Sequence, residues 1–195
     1  MDNVRSATPG QVRRSPSVPA HWPIRHHVAA AETTPAGPLH SVEVTVPAKT
    51  NLTLHVGPAH EEWGGRHALD TIYCAIGVND VVTATAKTPG SGFSLELSGE
   101  HLGDLASSGS DMRRNHAVLA LFAIARAARR EPDVALHVDK HIPVGAGLGG
   151  GSADAAATLL AVNTLWGLHW PIERLRDIAA TLGADMPFCL EGGYA

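Results

Sequence analysis

Residues Pro143 to Ala157 read PVGAGLGGGSADAAA, and the reading of this stretch decides the rest of the chain. Upstream, Val134, Leu136 and Val138 alternate with Ala135, His137 and Asp139, the period-2 pattern of a half-buried strand. Downstream, Ala155, Leu159, Val162 and Trp166 share one helical face, with Ala156 and Leu160 beside them, until Gly167 ends the run. A strand therefore feeds a glycine loop, and the loop opens a helix. Glycines let a backbone turn its N–H groups toward a ligand, and a helix N-terminus adds unpaired donors and partial positive charge. Phosphate suits that geometry.

Neighbouring residues separate the known phosphate loops. A Walker loop needs a lysine after its spacer, and no lysine follows Lys140. A G-x-G-x-x-G pattern is present at Gly145, Gly147 and Gly150, but the next periodic segment is a helix, not the second strand of a dinucleotide-binding unit. In that helix Ile172, Leu175, Ile178 and Leu182 line one face, with Pro171 at its first position and Gly183 closing it.

The run from Pro143 to Ala156 resembles the ATP loop of the GHMP kinases, and Gly147 to Ala156 is most similar to the diphosphocytidyl-methylerythritol kinases among them. The resemblance implies an α+β fold of the ribosomal protein S5 domain 2-like type, a mixed sheet packed on helices. It implies ATP with Mg²⁺, and phosphorylation of the 2-hydroxyl of 4-diphosphocytidyl-2-C-methyl-D-erythritol in non-mevalonate isoprenoid synthesis. Pro143, Val144, Gly145, Ala146, Gly147, Leu148, Gly149, Gly150, Gly151, Ser152 and Ala153 are the residues expected to hold the nucleotide. Ser152 is also expected to cap the helix.

Other family motifs fall elsewhere. The run Pro47 to Leu52, PAKTNL, resembles the first motif, which implies that Lys49 and Asn51 line the active site; strand alternation puts Lys49, Asn51 and Thr53 on one face. GADMPF, Gly183 to Phe188, resembles the motif that carries the catalytic base, here Asp185. His67 matches a histidine that helps read the cytosine, although Gly64 and Arg66 stand where Asp and Tyr are expected; the Arg66 plane offers a stacking surface instead. Asn115 resembles an asparagine near the adenosine, and Lys140 a lysine at the purine edge.

The remaining expectations come from pattern and composition. Residues 1–40 hold six of 13 prolines and no sustained periodicity, which predicts a disordered tail before a nucleotide-binding domain over 41–195. Strands are expected at Val42 to Val46, ending at Pro47, and at Leu52 to Val56; two more β segments span Leu69 to Val78 and Asp80 to Ala86. Phe93, Leu95 and Leu97 are expected to extend the antiparallel hairpins, followed by a helix from Arg113 to Arg130. A net charge of −4 gives no reason to seek nucleic acid, and no apolar run reaches the ~18 residues of a membrane span. Cys74 and Cys189, far apart, read as buried thiols of a reducing compartment, here the bacterial cytoplasm. His137 and His141 are not expected to share a metal, since one lies in a strand and the other in a loop. Members of the family continue past this point with a further domain. The alternatives are therefore a non-catalytic nucleotide-binding domain, or a relative acting on another small alcohol such as homoserine or mevalonate.

Overall fold

In this computed structural model the described residues are 39–100, 102 and 112–195, excepting the side chains of Trp63 and Arg66. The expected tail over residues 1–40 lies almost wholly outside them, as does the Arg66 stacking surface.

Strand β1 (Ser41–His60) and strand β2 (Arg66–Ala86) form one long antiparallel ribbon, turned by a 3-10 segment at Glu61–Trp63. Shorter, separate strands were expected on both sides of Pro47 and on both sides of Asn79. Each pair is instead one strand with slips in its pairing, at Pro47/Ala48, Asn51/Thr53 and Val56/Ala59. Pro47, which has no N–H to give the ladder, sits at the first slip, so it bends the ribbon without ending it. The second slip pairs Asn51 with Tyr73 but Thr53 with Ile72. Thr53 thereby leaves the face that Lys49 and Asn51 share, contrary to simple alternation.

Strands β3 (Ser94–Gly99) and β4 (Val134–Lys140) complete a sheet of order β1-β2-β4-β3. Strand β4 is antiparallel to β2, and β3 is parallel to β4 rather than part of a hairpin beside the first strands. Helix α1 (His116–Ala128) lies between β3 and β4 in sequence, and a parallel pair needs such a crossover. Helices α2 (Gly150–Leu165), α3 (Ile172–Leu182) and α4 (Met186–Glu191) follow. Pro171 is the N-cap of α3, so the helix starts at Ile172, one position after the expected start.

Helix α2 is central, packed on β1 and β2 beneath it and on α1, α3 and α4 around it. Ala153, Ala155, Ala156, Ala157 and Ala161 are fully buried, so small side chains let the helix sink into the core on all sides. A single apolar face had been expected. Val134, Leu136 and Val138 point into the same core, while Ala135, His137 and Asp139 are half-buried on the other face of β4. The mixed sheet with helices over the core is the α+β architecture implied by the glycine-loop resemblance.

Candidate active site

Strand β4 ends at Lys140, and the chain then passes through the glycine loop into α2. Gly145, Gly147 and Gly149 have φ of 77°, 75° and 71°, in the left-handed region. Gly149, not Ser152, caps α2: the left-handed turn there starts the helix at once and leaves Ser152 inside its first turn. The loop walls a cavity of about 270 Å³ formed by residues 143–151 with Asn115 and His116 at the start of α1, and Lys140, Ile142 and Asp154. Ser152 and Ala153 are not on this wall, and Ala153 is fully buried behind it.

Asn115 caps α1, its side chain accepting from the Ala117 N–H at 2.9 Å, and lines the cavity. His116 also lines it, a residue that the sequence reading missed. Its Nδ1 lies 2.3 Å from where a Cβ on Gly151 would stand, so only glycine fits at 151 beneath this ring.

On the other flank of the loop, β1 brings in Lys49. Its backbone N–H donates to the Leu148 carbonyl at 2.9 Å, and its stem lies across Gly149, where an added Cβ would meet Lys49 Cγ at 2.8 Å. Its Nζ donates to Asn51 Oδ1 at 2.8 Å and pairs with Asp185 Oδ2 at 3.1 Å. Asn51 in turn donates to Thr71 Oγ1 at 2.7 Å, so its amide is fixed. Asp185, at the N-cap of α4, has a side chain 28% exposed, open enough to meet a ligand.

Tyr73 completes this cluster, and nothing in the local sequence marks it. Its hydroxyl donates to Asp185 Oδ1 at 2.8 Å, and its ring stacks on Phe188 with centroids 4.9 Å apart. Burial, then the hydrogen bond to Asp185, pushes its phenol up to about 12. Both oxygens of Asp185 thus carry a donor, which fixes the plane of the carboxylate. Cys189, one turn along α4, is a buried thiol pushed up to about 12 by burial and by Asp185, hence inert near neutrality. Cys74, expected to be buried, is only half-buried.

Two expected site residues sit apart from this cluster. Lys140 is 2% exposed; its ammonium is held between Asp80 and Asp154, so it lies under the loop and not at an open purine edge. Two buried carboxylates recruit it, and sequence spacing gives no sign of them. His67 is exposed and lies six residues along β2 from Tyr73, about 20 Å at the usual strand rise. Its Nδ1 is 2.8 Å from the Gly57 carbonyl. A carbonyl can only accept, so Nδ1 carries the proton and Nε2 is left as an acceptor. Strand alternation puts His67, Leu69, Thr71 and Tyr73 on one face, with Val56 and Leu54 paired to Leu69 and Thr71. The face therefore runs from a charged end, over exposed aliphatics, to an imidazole. Among the described residues no His, Cys, Asp or Glu cluster is arranged for a metal ion.

Residues 115–193 match the family model for the GHMP kinases N terminal domain. A 4-diphosphocytidyl-2-C-methyl-D-erythritol kinase from Bifidobacterium adolescentis is 77% identical over 157 residues, covering 80% of this chain and 51% of its own length. A crystal structure of a 4-(cytidine 5'-diphospho)-2C-methyl-D-erythritol kinase superposes with a TM-score of 0.57 at 35% identity, over 76% of this chain and 48% of its own. A homoserine kinase from Cytophaga hutchinsonii has a TM-score of 0.60 at 20% identity, over 84% of this chain and 50% of its own, and shares the fold. The chain spans about half the length of each of these relatives. The glycine loop, the sheet order and these matches identify residues 115–193 as a GHMP kinases N terminal domain.

Proposed function

We propose that this chain is the part of a small-molecule kinase that binds ATP and activates the accepting alcohol, and that the alcohol is 4-diphosphocytidyl-2-C-methyl-D-erythritol. The observation that carries the reading is the contact of Lys49 with both Asp185 and Gly149, because it ties an acid and an amine to the edge of a phosphate loop. The fit to a triphosphate rests on the cavity wall: left-handed glycines and the first turn of α2 offer backbone N–H groups to an anion, and a side chain at 149 or 151 would fill the space. Mg²⁺ would be carried on the nucleotide phosphates and would neutralise charge there.

Asp185 accepts the proton of the substrate hydroxyl as that oxygen attacks phosphorus. Lys49 pairs with the carboxylate and offsets negative charge gathering on the transferred group. Asn51 and Tyr73 hold the two charged groups in place. Since phosphoryl transfer depends chiefly on positioning and electrostatics, these four residues supply most of what the chemistry asks of the protein.

The face of the β1–β2 ribbon accounts for the substrate. A hydroxyl placed at Asp185 leaves the rest of an extended molecule to run over Leu54, Val56 and Leu69 toward His67. There the free Nε2 accepts a hydrogen bond from the exocyclic amine of cytosine. ADP release measured with ATP and this substrate, beside homoserine and mevalonate, tests the choice. Turnover only with homoserine or mevalonate overturns the substrate, and turnover with none, while ATP binds, leaves a non-catalytic nucleotide domain.

A further inference from the structure

We propose that Asp154 is a proton-coupled residue of the nucleotide site, taking up a fraction of a proton from solvent when the phosphates of ATP occupy the glycine loop. The inference rests on the loop being a polyphosphate site.

Its basis is a charge imbalance beneath the loop. Lys140 donates to Asp80 and, at 2.7 Å, to Asp154 Oδ2. Asp80 Oδ1 also accepts from the backbone N–H groups of His141 and Ile142 at 2.6 and 2.8 Å, so Asp80 is fully engaged. Two carboxylates share one ammonium, and the excess negative charge falls on Asp154. That residue is 4% exposed, and its Oδ1 has no hydrogen-bond partner among the described residues. An ionised oxygen buried without a partner is costly, and protonation is the ordinary relief.

Asp154 and Lys140 line the same cavity as the loop, so an anion bound there adds negative charge beside the carboxylate that already bears the excess. Burial lifts the Asp154 carboxyl to about 7, against the opposing pull of Lys140, so the group is about half protonated at neutrality and responsive to a new charge. Once protonated, Oδ1 becomes a donor where it had been an unmatched acceptor. The charged and titratable groups around it are Asp80 from β2, Lys140 from β4, His116 and Arg114 at the start of α1, and Cys189 from α4.

The test is isothermal titration of the full chain with ATP, and separately with tripolyphosphate, at pH 7 in buffers of low and high ionisation enthalpy. The dependence of observed heat on buffer gives the protons exchanged. Wild type is expected to take up as much as about half a proton per ATP, and Asp154→Asn none. Binding of ATP without proton uptake overturns the proposal and leaves the nucleotide site standing; uptake that persists undiminished in Asp154→Asn places the proton on another group and also overturns it. Failure of both ligands to bind overturns the proposal and the nucleotide site together. A carbon-13 titration of the aspartate carboxyls in wild type supplies a readout that needs no variant: the Asp154 carboxyl must move to higher pH when ATP is added, and an Asp154 signal that does not move refutes the coupling.

Discussion

Replacing Gly149 by alanine perturbs two things that a second glycine of the same loop allows to be separated. Gly149 has φ of 71° and Gly147 of 75°, so alanine at either pays a similar left-handed penalty of about 1–2 kcal/mol. Nothing lies within 4 Å of a Cβ at 147, whereas at 149 it meets Lys49 Cγ at 2.8 Å and Cε at 3.0 Å. The Lys49 stem must move, and its ammonium is held at 2.8 Å by Asn51 and 3.1 Å by Asp185. Loosening hydrogen bonds to a mostly buried charge costs about another 1–2 kcal/mol. Gly147→Ala is therefore expected to lower stability by about 1–2 kcal/mol, and Gly149→Ala by about 2–4 kcal/mol. Urea unfolding at constant m-value measures both. In a Lys49→Ala background the stem is gone, so the difference between the two glycine variants should vanish, a coupling of about 1–2 kcal/mol in a double-mutant cycle. Equal costs at the two glycines, or a difference that survives removal of Lys49, would refute the claim that this lysine is set by contact with the loop.

Three further outcomes follow from the same geometry. Lys140→Met strands two buried carboxylates and should cost about 3–5 kcal/mol in urea unfolding, while Asp154→Asn removes the surplus charge and should cost far less. Between about pH 4 and pH 7 the folded chain holds a proton on Asp154 that the unfolded chain has lost, so this group makes stability fall as pH rises through that window. Its slope, at most about 1.4 kcal/mol per pH unit, should disappear from the stability profile of Asp154→Asn. Tyr73→Phe keeps the ring on Phe188 and removes only the donor to Asp185; phosphoryl transfer should fall by up to about tenfold with the KM for ATP unchanged, and an equal loss in KM would point to a disturbed loop instead.

What could be read in the chain without coordinates was whatever a local pattern encodes. The glycine loop announces itself because left-handed turns and a helix start demand particular residues at particular spacings, and Asp185 stands out by its place between a helix-ending glycine and Pro187. Lys49 and Asn51 share a face by strand alternation. What escaped is what depends on distant segments. The slip after Asn51 turns Thr53 away because β2 has one residue fewer opposite it, and no feature of β1 alone reports that. Lys140 looks like an exposed loop-edge lysine until Asp80, 60 residues earlier, is found beneath it. Tyr73 reads as one more β-forming residue, and only the fold brings Asp185, 112 positions later, to its hydroxyl. Serine favours the helix cap, which is why Ser152 reads as one, but the left-handed Gly149 begins the helix ahead of it.

The central claim is that the glycine loop presents ATP to a hydroxyl activated by Asp185. A single-turnover experiment with excess protein, labelled ATP and 4-diphosphocytidyl-2-C-methyl-D-erythritol, run for wild type and Asp185→Asn, tests it most directly. The account predicts phosphate transfer to the alcohol by wild type, and ATP binding of similar strength with transfer slowed by at least about a hundredfold in the variant. Transfer at the wild-type rate in Asp185→Asn would contradict it.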